Sequence, residues 1–275
     1  MIPMSNLFSS GDTAKNALAI AAAAHLVVAV LCLGALALDL RPIQGLHPAA
    51  KPLKFALAIG LMLGSMSVLV PALSVTSSTK NALAAVLVST MVVEMVVIVG
   101  QALRHERSHF NIEGRNAAAW LVMLAAIVVA FFAFVAIAWL ASSRPLSSAM
   151  APTMQMAWRF GLWLLVLSAL SGFAMGGRLS HSVGGVDGGP GLPIANWSRV
   201  HGDLRVSHFI ALHGLQALPA LAWLGHRTAL LLSSSSSSSP TAVLAVLVVV
   251  VVAGVAAVAL VLFTLAQALA GRPLL

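Results

Sequence analysis

Residues 241–269 read TAVLAVLVVVVVAGVAAVALVLFTLAQAL, a stretch with no charged residue and no histidine. As a helix it is about 43 Å long, more than the roughly 30 Å of hydrocarbon in a bilayer. Six further apolar runs of spanning length lie at about 16–40, 53–74, 80–103, 116–141, 154–175 and 205–231. The composition agrees, since 60% of the 275 residues are hydrophobic and 8% charged, against about 25% charged in a soluble domain. A water-soluble globule is excluded. The expected fold is an all-α integral membrane protein, a bundle of about seven transmembrane helices forming a single transmembrane domain over 1–275. Ala35-Leu36-Ala37 looks like a small-residue cleavage site, but the first run exceeds the core of a signal peptide and only Lys15 precedes it, so it is read as a retained helix.

The net charge of +8 would suggest nucleic acid in a soluble chain; here the basic residues lie thinly over the connections, and membrane orientation explains them better. Lys15, Lys80, Arg144, Arg159 and Arg227 fall on one side, and Arg41, Lys51, Lys54, Arg104, Arg107, Arg115, Arg178, Arg199, Arg205 and Arg272 on the other. The richer side is assigned to the cytoplasm, with the N-terminus outside and the C-terminus inside. The single cysteine, Cys32, cannot form an intrachain disulfide, and tyrosine is absent.

Polar residues inside the apolar runs point to chemistry. Glu94, Gln101 and His105 stand at offsets of seven and four, one stripe on a continuous helix. A carboxylate about 14 Å below a helix end faces a protein interior or a water-filled cavity in most membrane proteins. The sixth run opens with Arg205, His208, His213 and Gln216 within half a helix circumference, and His213 lies at the depth of Glu94. If the two faces meet, a funnel opens to the cytoplasm. His105 and His109, four apart, share a face if helical and could bind one metal with His201, His208 or a carboxylate. His25 reads as a packed interhelical hydrogen bond, Gly60 and Gly64 as a small-residue helix contact, and Arg159 and His226 as snorkelling side chains. Lys51 and Lys54 can anchor at the headgroups.

Two connections stand out. Ser233 to Ser239 reads as an inert link. Residues 176–204 contain Gly184-Gly185-Val186-Asp187-Gly188-Gly189-Pro190-Gly191 and end with Trp197, His201, Asp203 and Arg205. The segment lacks the Gly-Lys-Ser/Thr ending of a phosphate-binding loop, and a lid over a site is favoured over a disordered linker.

The segments His47-Pro48 with Lys51-Pro52-Leu53-Lys54-Phe55, Gly100-Gln101-Ala102 with Ser108-His109-Phe110-Asn111, Asp187-Gly188-Gly189-Pro190-Gly191-Leu192-Pro193 with Asn196-Trp197-Ser198, and Gly202-Asp203-Leu204-Arg205 with His208-Phe209 and Leu212-His213 resemble those of a family of uncharacterised bacterial polytopic inner-membrane proteins. The resemblance covers most of the chain and implies a bacterial inner membrane; it names no activity. Other membrane families fit less well. A retinal protein needs a lysine in its last span, and His213 and His226 lie about 140° apart around one helix, unlike the same-face pairs of two-haem bundles. Neither the adjacent His-His boxes of desaturases nor the last-span histidine pair of seven-span zinc hydrolases is present.

The leading expectation is a membrane enzyme or redox protein with a cytoplasm-facing pocket. A transition metal or haem would be held by some of His105, His109, His201, His208 and His213. Glu94 and Asp203 are the candidate catalytic groups. Lys54, Gln101, Asn111, Asp187, Trp197 and Arg205 are the candidate substrate-binding ones. A proton-coupled transporter using Glu94 and His213, with the glycine-rich loop as a gate, is the alternative, and a structural or assembly partner the third reading. The partners expected are the lipid bilayer and a small-molecule or lipid substrate, with no nucleic acid.

Overall fold

The computed structural model describes residues 12–43, 45–188, 191–193, 195–232 and 239–274; most of the serine run and part of the glycine-rich stretch lie outside these. Among the described residues there are seven helices, α1 (Thr13–Ala35), α2 (Ala50–Ala72), α3 (Ser77–Leu103), α4 (Gly114–Ser143), α5 (Pro152–Arg178), α6 (Leu204–Leu232) and α7 (Pro240–Leu269), and two short strands, β1 (Ser182–Val183) and β2 (Gly202–Asp203). All helices except α6 are long and apolar enough to cross a membrane. The chain is therefore an all-α, multi-pass membrane protein.

Local chemistry sets the limits of these helices. The Asp12 carboxylate accepts from the Lys15 amide at 3.0 Å, the Thr76 and Ser239 hydroxyls cap α3 and α7, and Pro152 and Pro240 stand in the first turns of α5 and α7. Three helices end by one device, a left-handed residue whose amide and the next amide bond back to the last turn. At α3 it is His105, with His105 N to Ala102 O 3.1 Å and Glu106 N to Gln101 O 2.9 Å; at α5 it is Leu179, and at α7 Gly271. The first helix stops at Ala35, five residues short of the expected limit near 40. Leu36, Ala37 and Leu38 tighten into three-residue turns there, and Pro42 lies just beyond.

The chain gathers into two compact units, Met1–Ile137 and Ala138–Leu275. In the first, α1, α2 and α3 pack on one another around Leu18, Leu63, Met66, Leu69, Leu87 and Ile98, all buried. Gly60 seats against Leu26 and Ala22 of α1, the expected small-residue contact. His25 also behaves as expected, its Nδ1 donating to the Ala21 carbonyl at 2.7 Å and its Nε2 3.4 Å from the Met91 carbonyl of α3.

In the second unit α5, α6 and α7 pack mutually. A Cβ on Gly161 would lie 2.8 Å from the Leu215 Cα, and one on Gly214 2.5 Å from a Leu164 methyl, so the α5 and α6 backbones touch at those two glycines. Arg159 does not simply snorkel, because its Nε donates to the Ala141 carbonyl at 2.9 Å. His226 likewise bonds the Thr153 hydroxyl.

Candidate functional site

The expected site residues divide between the two units. In the first, Glu94 and Gln101 share the buried face of α3 with Thr90, Met91 and Ile98. Glu94 is 6% exposed. Lys51 stands in the first turn of α2, its ammonium 5.8 Å from the Phe55 ring centroid. Phe55 in turn meets the His109 ring at 5.3 Å, and His109 meets Trp120 at 5.6 Å. A line of contacts thus runs from Trp120 through His109 and Phe55 to Lys51.

His105 does not extend the Glu94 stripe, and it shares no helix face with His109. Helix α3 ends at Leu103 and His105 takes a left-handed conformation with φ 57°, which leaves its side chain exposed. His109 sits instead among Phe55, Phe110 and Trp120, with the Ser108 hydroxyl 3.1 Å from its Nδ1. Gln101 and Asn111 organise the segment between α3 and α4. The Gln101 amide donates to the Arg107 carbonyl at 3.3 Å and to Asn116 Oδ1 at 3.0 Å, and the Asn111 amide donates to Glu106 at 3.4 Å and the Arg107 carbonyl at 3.3 Å. Lys54 is half-buried on α2.

In the second unit the described part of the glycine-rich connection is ordered, and two aspartates hold it. Asp187 accepts from the Ser180 hydroxyl at 2.8 Å and the Ser182 amide at 3.0 Å, with His181 Nδ1 at 3.3 Å. Asp203, 3% exposed, accepts from the Ser198 amide at 2.8 Å, the Arg205 amide at 3.0 Å and the Arg205 guanidinium at 2.6 and 2.9 Å. It therefore caps α6 and ties the loop to it. Arg205 also donates to the Asn196 carbonyl at 2.5 Å. Burial would raise both carboxyl groups. For Asp203 the bond and charge of Arg205, with Ser198 and His181, more than reverse this; for Asp187, Ser180, His181 and Ser182 do. Both are held below the ordinary carboxylate value. Strands β1 and β2 pair antiparallel, Ser182 with Asp203 and Val183 with Gly202.

His208 faces α5, where its Nδ1 donates to the Ser168 carbonyl at 2.8 Å with the Ser168 and Ser171 hydroxyls at 3.2 Å. The sequence reading did not single out these serines, although their spacing of three on one helix face is the pattern of a polar clasp for a neighbouring imidazole. His213 meets Phe209 edge-on at 4.3 Å and Phe209 meets Trp197 edge-on at 5.5 Å, so Trp197 is laid over the first turns of α6. His201 packs on the Gly185 backbone, where a Cβ would lie 2.1 Å from its Nε2. Among the described residues no three His, Cys, Asp or Glu side chains come together to hold a metal ion.

These features define a multi-pass helical membrane protein with a buried carboxylate in one unit and a clamped, aromatic-capped helix entry in the other. No family model matches the chain, and neither a curated protein nor a solved structure does.

Proposed function

We propose that the chain is a proton-coupled transporter of a bacterial inner membrane, with Glu94 as the group that takes up and releases the proton. The observation that carries this reading is the buried Glu94 on α3, a membrane helix. A carboxylate there is costly to keep, and such groups mark ion and proton paths by default. His213, on α6, is a second group able to carry a proton. A metal- or haem-dependent enzyme is less well supported, since His105 is exposed, His109 sits among aromatic rings, and His208 is committed to Ser168. Purified protein in vesicles loaded with a pH-sensitive dye, offered a panel of amino acids, small carboxylates and sugars, should show proton influx with one solute class. Glu94→Gln should reduce that influx to the leak of empty vesicles while remaining monodisperse. Silence across the panel from well-folded protein, or unchanged flux in Glu94→Gln, would overturn the reading.

The same proposal counts α6 as a seventh crossing, about 43 Å long, and places the N-terminus outside and the C-terminus in the cytoplasm. The distribution of basic residues, ten against five, supports this. In a Cys32→Ser background, a membrane-impermeant thiol reagent on intact cells should label Ser148→Cys. It should reach Ile112→Cys and Val186→Cys, whose native side chains are 57% and 83% exposed, only after the membrane is opened. Labelling of only one of positions 112 and 186 from outside would break the crossing count. Labelling of both, with 148 protected, would invert the protein.

A further inference from the structure

The C-terminal end of α7 carries a groove that none of the roles above uses. It is an open surface hollow of about 410 Å³, lined by Phe263, Ala266, Gln267, Ala270 and Arg272. The first four stand three and four residues apart, so they form one face of α7, and Phe263 is 65% exposed. The end of the helix supplies the rim. Gly271 turns left-handed at φ 73°, the Arg272 amide bonds back to the Gln267 carbonyl at 3.2 Å, and the Gln267 side chain donates to the Pro273 carbonyl. The turned-back tail brings Arg272 to the end of the apolar stripe. Its guanidinium forms no hydrogen bond or ion pair among the described residues.

We propose that this groove holds one anionic phospholipid of the surrounding bilayer, its phosphate on Arg272 and an acyl chain along Phe263, Ala266 and Ala270. The apolar wall and the cation call for an occupant that is apolar over most of its length and anionic at one end. The hollow is open along its length, as a site facing lipid must be, and a guanidinium matches a phosphate with two parallel hydrogen bonds. A soluble phosphate would leave the wall uncovered, and a second apolar helix would leave the arginine unpaired. The inference rests on α7 lying in a membrane and is independent of the proton-transport reading.

Native mass spectrometry of the detergent-purified full chain, given phosphatidylglycerol or phosphatidylcholine with the same acyl chains, tests it. One phosphatidylglycerol should be retained in preference to phosphatidylcholine. Arg272→Gln should lower that retention about fivefold, the effect of one surface cation on an anionic lipid. Arg227→Gln, which removes the same charge near the far end of α6, should leave it unchanged. Ala266→Trp, which fills the groove while keeping Arg272, should lower retention as well, so the test survives if Arg272→Gln does not purify. Equal retention of the two lipids, or unchanged retention in the variants, would overturn the proposal. So would thermal protection by inorganic phosphate alone equal to that by phosphatidylglycerol.

Discussion

Gly202→Ala is expected to unseat the connection between α5 and α6 and to destabilise the protein by about 3 kcal/mol or more, the upper range for overpacking. The added Cβ would stand 2.0 Å from the Ala268 carbonyl oxygen and 2.9 Å from its Cα. That neighbour is helix backbone and cannot rotate away as a side chain could. Movement on the loop side is blocked too, because Gly202 is paired with Val183 and its next residue, Asp203, is held by Arg205 and Ser198. Gly100→Ala makes the control: nothing lies within 4 Å of the new Cβ, and alanine is favoured over glycine in a helix by about 1 kcal/mol. Thermal melts of the purified protein followed by tryptophan fluorescence should separate the two widely. If Gly202→Ala melted with Gly100→Ala, the described docking of β2 on α7 would be wrong.

The second large effect belongs to the pair Asp203 and Arg205. Asp203→Ala removes the acceptor of two backbone amides and of the guanidinium, and breaking a buried pair from one side costs about 3–5 kcal/mol. Arg205→Leu leaves a carboxylate whose side chain is 2% exposed without its cation and should cost a similar amount. The double variant should recover part of the loss, since the remaining penalty of each single change is an uncompensated charge. Arg205→Lys should fall between, keeping the charge and losing the fork. These are stability effects. If Asp203→Asn instead abolished solute flux with an unchanged melting temperature, Asp203 would regain the catalytic role its position in the sequence suggested.

The helices were legible because hydropathy and caps act locally. The apolar runs placed helix starts near 16, 80, 154 and 241, within a few residues of where Asp12, Thr76, Pro152 and Pro240 begin the helices. Ends were harder, since nothing in His105 or Leu179 warns that a residue other than glycine will take the left-handed turn. That one conformation separates His105 from the helix face on which its pairing with His109 depended. The glycine-rich segment suggested a lid because of its length and because Trp197, His201, Asp203 and Arg205 stand at its end. At Gly185 and Gly202 glycine serves close approach instead, to His201 and to Ala268, and composition alone does not distinguish the two uses. Glu94 was legible as a buried carboxylate from its apolar flanks. The meeting of Lys51, Phe55 and His109 was not, because the side chains come from separate segments.

The least apolar helix, α6, is bracketed by favourable neighbours. Arg205, His208, His213, Gln216, His226 and Arg227 make its transfer into lipid as a lone segment unattractive. Yet its backbone contacts α5 at Gly161 and Gly214, and a few residues connect it to α7, the most apolar of the spanning helices. By composition alone α6 is not expected to partition into a bilayer as a lone segment. If α6 crosses the membrane as proposed, it is drawn in as one arm of a hairpin whose other arm, α7, supplies the driving force, and the two helices insert as a single unit.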